Sequence, residues 1–150
     1  MEGKIKWLVK KFDELSNYEL YALLQLRSEV FVVEQQCAFL DLDSIDLQCV
    51  HVLGFEGDVL LSYCRVVPPG CLYASPSLGR IVVRDVGRKE GNGKKLVKKG
   101  IEVLLSIYET DSIEIGAQIY LNQFYQSLGF MPIGEPYLED DILHIHMIRA

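Results

Sequence analysis

Apolar positions along this chain recur in two rhythms, every second residue in some stretches and every third or fourth in others, the side-chain periods of strands and helices. Lys4 to Phe12 reads as a first strand. Ser16-Asn17-Tyr18-Glu19 is a capping box, hydroxyl first and carboxylate three residues on, opening a helix expected to run to about Gln35. Val50 to Glu56 and Val59 to Val67 alternate with period two around Gly57-Asp58, a hairpin with glycine first as a type II′ turn prefers. Pro68-Pro69-Gly70 ends it. Leu78 to Val83 is a strand, and Gly93 to Tyr108 a helix with Leu96, Val97, Gly100, Ile101 and Leu104 on one face. Ser112 to Ala117 is another strand, and Leu121 to Leu128 a short helix. Phe130 to Gly134 and Leu143 to Ile148 close the chain as two strands around Glu139-Asp140-Asp141.

Strands interleaved with helices, with hairpins towards both ends, imply an α+β fold in which a mixed sheet carries helices on its faces. The 150 residues suit one domain spanning 1–150, long enough to bury a substantial core, and no repeat or linker interrupts them. There is no apolar run of about 18 residues or more, and Met1-Glu2-Gly3-Lys4-Ile5-Lys6-Trp7 lacks the apolar core of a signal peptide, so no membrane association and a cytoplasmic location are expected. Cys37, Cys49, Cys64 and Cys71 show no Cys-x-x-Cys spacing and are expected as free thiols. Fifteen basic against 21 acidic side chains give a formal charge of −6, which argues against nucleic acid as a partner. An acidic body suits a cationic substrate.

Against that acidic background stands a local basic loop, Arg88-Lys89-Glu90-Gly91-Asn92-Gly93-Lys94, where a strand ends and a helix begins. The first turn of a helix has N–H groups without intrahelical partners and a partly positive dipole, so anions collect there. Glycines let the backbone approach the anion, and the flanking cations add donors; a pyrophosphate is the natural guest. A nucleotide-triphosphate loop is disfavoured, because Arg88 stands where its first glycine belongs and Lys95 where its hydroxyl belongs. A dinucleotide fingerprint would need a third glycine where Leu96 stands. Arg-x-x-Gly-x-Gly, as Arg88, Gly91 and Gly93, fits without adjustment.

That loop resembles the acyl-CoA loop of the GNAT N-acetyltransferase superfamily. Asn122-Gln123-Phe124-Tyr125-Gln126-Ser127-Leu128-Gly129-Phe130 is similar to the superfamily segment in which a tyrosine precedes Gly-Phe. Leu20 to Gln35, Asp41-Leu42-Asp43, His51 and Gly116-Ala117-Gln118 narrow the resemblance to the ElaA-like branch. It implies a GNAT-like acyl-CoA N-acyltransferase fold with a central, mostly antiparallel mixed sheet, and acetyl-CoA (coenzyme A) as cofactor. It further implies that backbone groups of Ile81, Val82 and Val83 pair with the pantetheine arm. The pyrophosphate would lie on Arg88, Lys89, Gly91, Asn92, Gly93 and Lys94, with Asn122 on the pantetheine and Tyr125 near the thioester sulfur. Lys89 replaces a glycine often found after the arginine, and Glu90 puts a carboxylate inside an anion loop.

Acyl transfer from a thioester to an amine needs a neutral amine, a stabilised oxyanion and a protonated leaving thiolate. A lysine-like amine with a pKa of about 10.4 is neutral in roughly one molecule in 2,500 at pH 7, a deficit of about 4.6 kcal/mol that a base or desolvation must offset. Tyr125 is the candidate acid, and the N–H of Val82 or Val83 the candidate oxyanion donor. Leu20, Leu24, Arg27, Phe31 and Glu34 lie on one stripe of the first helix, so Arg27 and Glu34 are expected to share its inward face, either as part of a structural ion pair with Asp41 or Asp43 or with Glu34 as catalytic base at the cleft mouth. Glu114, alternating with Ile113 and Ile115, is a rival base whose bland reading is a solvated face.

Asp41-x-Asp43-x-x-Asp46 lacks the glycine and distal glutamate of a calcium loop and reads as a polar rim. His51 reads as a hydrogen-bonded core histidine. His144 and His146 are two ligands without a third, so no metal site is expected. Cys71 could be a nucleophile only with a base beside it. Two functions follow: an acetyl-CoA-dependent N-acetyltransferase acting on a primary amine of a small molecule or peptide, or a non-catalytic acyl-CoA-binding module. An exposed edge strand would permit a homodimer.

Overall fold

The computed structural model describes residues 5–150, with every side chain in them except that of Lys89. The expected strand start at Lys4 therefore lies outside the described residues. Seven strands form one sheet: β1 (Lys6–Lys11), β2 (Val50–Glu56), β3 (Val59–Val67), β4 (Ser77–Val83), β5 (Ile113–Gln118), β6 (Phe130–Glu139) and β7 (Ile142–Arg149). Their order is β1-β2-β3-β4-β5-β7-β6, and every neighbouring pair is antiparallel except β4 with β5. Three α-helices complete the fold: α1 (Asn17–Arg27), α2 (Asn92–Ile107) and α3 (Asn122–Gln126).

The sheet is buried on both faces at its centre. Val52, Cys64, Val66 and Leu78 pack with Leu96, Val97 and Leu104 of α2, while Leu53, Tyr63 and Val82 pack with Leu23 and Leu26 of α1. Two-sided burial explains why β3 reads almost entirely apolar. Gly100 lets α2 settle on the sheet, since a Cβ there would stand 3.1 Å from Cys64 Sγ and 3.2 Å from Leu78. The β2–β3 hairpin turns at Gly57 with φ +60°, and Asp140 and Asp141 take φ +50° and +63° in the two-residue turn of the β6–β7 hairpin. β6 runs five residues beyond the expected Gly134, because that glycine, at φ +75°, sits within an irregularity that the strand survives.

The first helix departs from expectation. It is α-helical only to Arg27 and continues from Ser28 to Glu34 as a π-helix, closed by the Gln35 N–H to Val30 O bond of 3.1 Å. The wider turn carries Glu34 off the stripe that holds Arg27. Arg27 is buried and Glu34 exposed, so the expectation of a shared inward face is wrong.

Around Arg27 the loop from Asp41 to Asp46 folds inward. Arg27 donates to Asp41 Oδ2 at 2.9 Å and Asp46 Oδ1 at 2.7 Å; Arg65 donates to Asp46 Oδ1 at 2.8 Å and Asp43 Oδ2 at 2.7 Å; Arg80 donates to Asp41 Oδ1 at 2.8 Å. The three aspartates are thus partners of three arginines. His51 is buried beside this network, its Nδ1 2.6 Å from the Tyr63 hydroxyl and its Nε2 2.9 Å from Asp46 O.

Candidate active site

β4 and β5 meet at a single register pair, Ser77 with Glu114, and beyond it diverge, β5 continuing along β7 instead. Leu78 to Val83 are therefore paired on one side only. A bulge sharpens the split, because β4 spends one residue more than β3 between the Val82–Tyr63 and Gly79–Arg65 pairs, and Arg80 there takes φ +47°.

Register decides which β4 groups face the gap. The Arg84 N–H donates to Leu61 O at 2.7 Å, and hydrogen bonding alternates every two residues along an antiparallel pair. Val82, opposite Tyr63, is consequently committed to β3, while the main chains of Ile81 and Val83 turn to the gap. The three-residue expectation is corrected to these two. The Val83 carbonyl accepts from Arg88 Nε at 2.9 Å, so the N–H is what Val83 still offers.

After β4 the chain makes a 3₁₀ turn over Asp85–Glu90, passes Gly91 at φ +73° and enters α2 at Asn92, one residue before the expected start. Lys95 is the first residue to bond back, to Gly91 O at 3.2 Å, which leaves the amides of Asn92, Gly93 and Lys94 without an intrahelical partner. No acidic residue lies in the first turn of α2, and Glu90 is exposed. Asn92 has a different role from the one expected. Its side chain is buried and donates to Gly87 O at 2.8 Å, so it pins the loop and has only its main-chain N–H for a ligand. A Cβ on Gly87 would fall 2.7 Å from Leu61, so the loop lies close on β3. Gly93 sits against α3, a Cβ there standing 3.6 Å from the Phe124 ring. Three convergent amides at a carboxylate-free helix start, with Lys94 exposed beside them, are a donor set suited to a diphosphate.

Arg88 is not free in this arrangement. Its Nη1 and Nη2 donate to Glu34 at 2.6 and 2.9 Å, and this hydrogen-bonded pair holds the Glu34 carboxyl below its usual range. Glu34, expected as a base, has its carboxylate spent on the loop arginine. The Lys89 side chain lies outside the described residues.

Tyr125, in α3, is buried with its ring edge-on to Phe124 and Phe130 at 5.1 and 5.9 Å. It belongs to the same apolar cluster that Ile81 and Val83 pack against. Burial pushes its phenol far above the ordinary value, so it stays protonated through the neutral range. Asn122 opens α3, its Oδ1 accepting from Gln126 Nε2 at 3.0 Å.

Glu114 is not on a solvated face. It is half-buried, 2.9 Å from His146 Nε2, and accepts from the Ser75 N–H at 3.4 Å. Tyr73 and Tyr137 complete that region and were missed. The first follows a proline–glycine break with no periodicity around it, and the second lies past the point where β6 was expected to stop. The Cys71 Sγ lies 3.6 Å from Gln48 Oε1, with no histidine or carboxylate bonded to it among the described residues, and all four cysteines are free thiols.

Comparison with known proteins bears on this geometry. The family model for the acetyltransferase (GNAT) domain matches residues 51–150. The chain is 41% identical to protein ElaA of Escherichia coli over 97% of its own length and 96% of that protein's. The crystal structure of that ElaA superposes with a TM-score of 0.91 at 40% identity, covering 97% of this chain and 99% of the other. An acyl-CoA N-acyltransferase from Pseudomonas aeruginosa superposes with a TM-score of 0.92 at 36% identity, covering 98% of this chain and 100% of the other.

Proposed function

The chain belongs to the GNAT family of acetyltransferases, enzymes of acyl transfer, and from that membership we propose that it moves the acetyl group of acetyl-CoA to a primary amine of a small molecule or peptide, by direct attack on the thioester. One observation carries the reading: the open edge of β4 leads, through the 3₁₀ turn and Gly91, to an uncapped, carboxylate-free helix start. An extended pantetheine arm suits the first and a diphosphate the second.

Acetyl-CoA supplies an acyl carbon activated as a thioester. The chain's own residues do the rest. Main-chain groups of Ile81 hold the arm, with the Asn122 amide of α3 beside it. Amides of Asn92, Gly93 and Lys94, preceded by the left-handed Gly91, take the diphosphate, with Arg88 and Lys94 adding charge. The Val83 N–H is the oxyanion donor, since Val82 is turned to β3. The protonated Tyr125 hydroxyl donates to the sulfur as negative charge develops there.

Calorimetry with coenzyme A and a thiol-release assay with acetyl-CoA and an amine panel test the reading. Tyr125→Phe should bind coenzyme A as the native protein does and lose roughly a hundredfold in turnover. Absence of any heat with coenzyme A sinks the cofactor assignment, and binding without release for any amine leaves an acyl-CoA-binding module instead.

A further inference from the structure

We propose that the acetyl acceptor is a linear oligoamine, received on the far face of β5 by His146 and Glu114 beneath Tyr73 and Tyr137, with His146 taking its proton. This rests on the acetyltransfer reading above and adds to it the acceptor class and the base.

The position follows from the sheet. Ile113, Ile115 and Ala117 of β5 lie in the core under α2, so Glu114, Gly116 and Gln118 face the opposite side, away from the cofactor loop. The two faces communicate through the gap between β4 and β5, and Glu114 stands at its apex opposite Ser77. His146 is the register partner of Gly116. An amine approaching from this face meets a thioester lying along β4 without crossing the cofactor's own path.

The chemistry follows from hydrogen bonding. An ionised carboxylate only accepts, so at 2.9 Å from Glu114 Oε2 the His146 Nε2 carries the ring proton. Nδ1 is left with a lone pair and, among the described residues, no protein partner. A carboxylate that orients a histidine whose other nitrogen faces the reactant is the arrangement of an activated general base. The Tyr73 ring stacks on the imidazole with centroids 5.0 Å apart and planes 9° from parallel, fixing its orientation. A Cβ on Gly116 would come within 2.7 Å of the Tyr137 hydroxyl and 3.0 Å of the Tyr73 hydroxyl, so only glycine leaves room for both. Tyr137 in turn stacks on His144, which lies 3.6 Å from Glu139. Among the described residues, the titratable groups in contact with His146 are thus Glu114 and Tyr73, with Tyr137, His144 and Glu139 one step along.

Aromatic rings and carboxylates, with no lysine or arginine paired to Glu114 among the described residues, attract an alkylammonium by Coulomb and cation–π forces. A carboxylate next to the amine, as in an α-amino acid, would confront Glu114 at like charge. A cleft between the end of the first helix and the β6–β7 hairpin carries Asp140 and Asp141 at its rim and reaches Gln35, whose side chain lies 3.4 Å from Gln118 on the same β5 face. That acidic rim would attract a second cationic centre carried along an alkyl chain.

In the step, the alkylammonium first gives one proton to His146 Nδ1, which passes it to water. The amine's electron pair then forms the bond to the acetyl carbon, the carbon–sulfur pair leaves on sulfur and takes the Tyr125 proton, and the remaining surplus proton on nitrogen restores the phenol. The sum is amide, free thiol and one proton released.

The test measures kcat and KM for 1,5-diaminopentane, spermidine, hexylamine and L-alanine, and coenzyme A affinity by calorimetry, on the native protein, Glu114→Gln and His146→Asn. Coenzyme A affinity should stay within about twofold in all three. The two amines with more than one nitrogen should exceed L-alanine in kcat/KM by roughly a hundredfold, and each variant should lose roughly a hundredfold in kcat. Should either variant fail to fold, Tyr137→Phe reads the same site as a rise of about threefold or more in the diamine KM with coenzyme A affinity unchanged. Turnover kept within about threefold in both variants, L-alanine used as well as the diamine, an unchanged diamine KM in Tyr137→Phe, or coenzyme A bound with none of the four amines acetylated overturns the proposal alone. Failure of the native protein to bind coenzyme A overturns the reading beneath it as well.

Discussion

Glu34 grips Arg88 through paired hydrogen bonds, Nη1 to Oε2 at 2.6 Å and Nη2 to Oε1 at 2.9 Å, joining the end of the first helix to the loop that leads into α2. A carboxylate held in this two-pronged fashion by a guanidinium occupies the donors a phosphate would use. A diphosphate arriving at the start of α2 must therefore share Arg88 with Glu34 or displace it.

Glu34→Gln should accordingly tighten coenzyme A binding by about three- to tenfold in calorimetry. Both side chains are substantially exposed, and such pairs contribute at most about 1 kcal/mol, so the melting temperature should hardly move. Weaker binding in this variant would show that Glu34 steadies Arg88 for the ligand and does not compete with it.

Asn92→Ala should destabilise the protein by about 1–3 kcal/mol, because it strips Gly87 O of its buried donor and leaves a void beneath the loop. Gly91→Ala should cost only about 1 kcal/mol: its φ of +73° disfavours a Cβ, but apart from its chain neighbours no described atom lies within 4 Å of where that Cβ would stand. Urea denaturation separates the two. Equal losses would mean that Asn92 does not anchor the loop.

Much of this was legible in the chain. The capping box at Ser16, the Gly57-Asp58 hairpin and the α2 stripe are local signals, each with its own short-range cause, and each lies where its residues place it. The phosphate loop was legible because glycines and cations at a strand-to-helix junction have one obvious use. The π-helix was not: nothing between Ser28 and Glu34 breaks a regular helix, and the wider turn accompanies burial of Arg27 among Asp41 and Asp46, partners 14 and 19 residues away. That one irregularity moved Glu34 from the inward stripe to Arg88. The Glu114–His146 contact was equally hidden, since it spans 32 residues and depends on β7 inserting between β5 and β6.

The Arg27 guanidinium is fully buried, with Asp41 and Asp46 both bonded to it. Arg27→Met should cost about 3–5 kcal/mol, since it leaves two buried carboxylates with one fewer counter-charge. At about 2–4 °C per kcal/mol for a domain of this size, the melting temperature should fall by roughly 6–20 °C. Arg27→Lys should rescue little, because one ammonium cannot span the three oxygens that the guanidinium meets. A melting temperature within about 2 °C of native for Arg27→Met would show that Arg65 and Arg80 suffice for the three aspartates.

Acid should unfold the protein in two stages, each with its own residues. Burial depresses the pKa of His51, only partly offset by its bond to the Asp46 carbonyl, so the unfolded chain binds its proton more readily than the folded one. The stability His51 permits is whole above the unfolded value of about 6.5 and drains as pH falls below it. Burial opposes ionisation of Asp43, but hydrogen bonds and charge from Arg65, then the charge of Arg80, outweigh it and bring its pKa down to about 2. Asp46 is lowered likewise by Arg27 and Arg65 against its own burial. Their contribution is complete above the ordinary carboxylate range and is lost as pH falls through their folded values, a second and deeper decline below about pH 4. Urea midpoints measured from pH 8 to pH 3 should show both limbs in the native protein, only the lower one in His51→Gln, and a shallower lower one in Asp43→Asn. A native profile flat between pH 7 and pH 5, or one whose upper limb survives in His51→Gln, would mean that the buried imidazole is not what the acid attacks first.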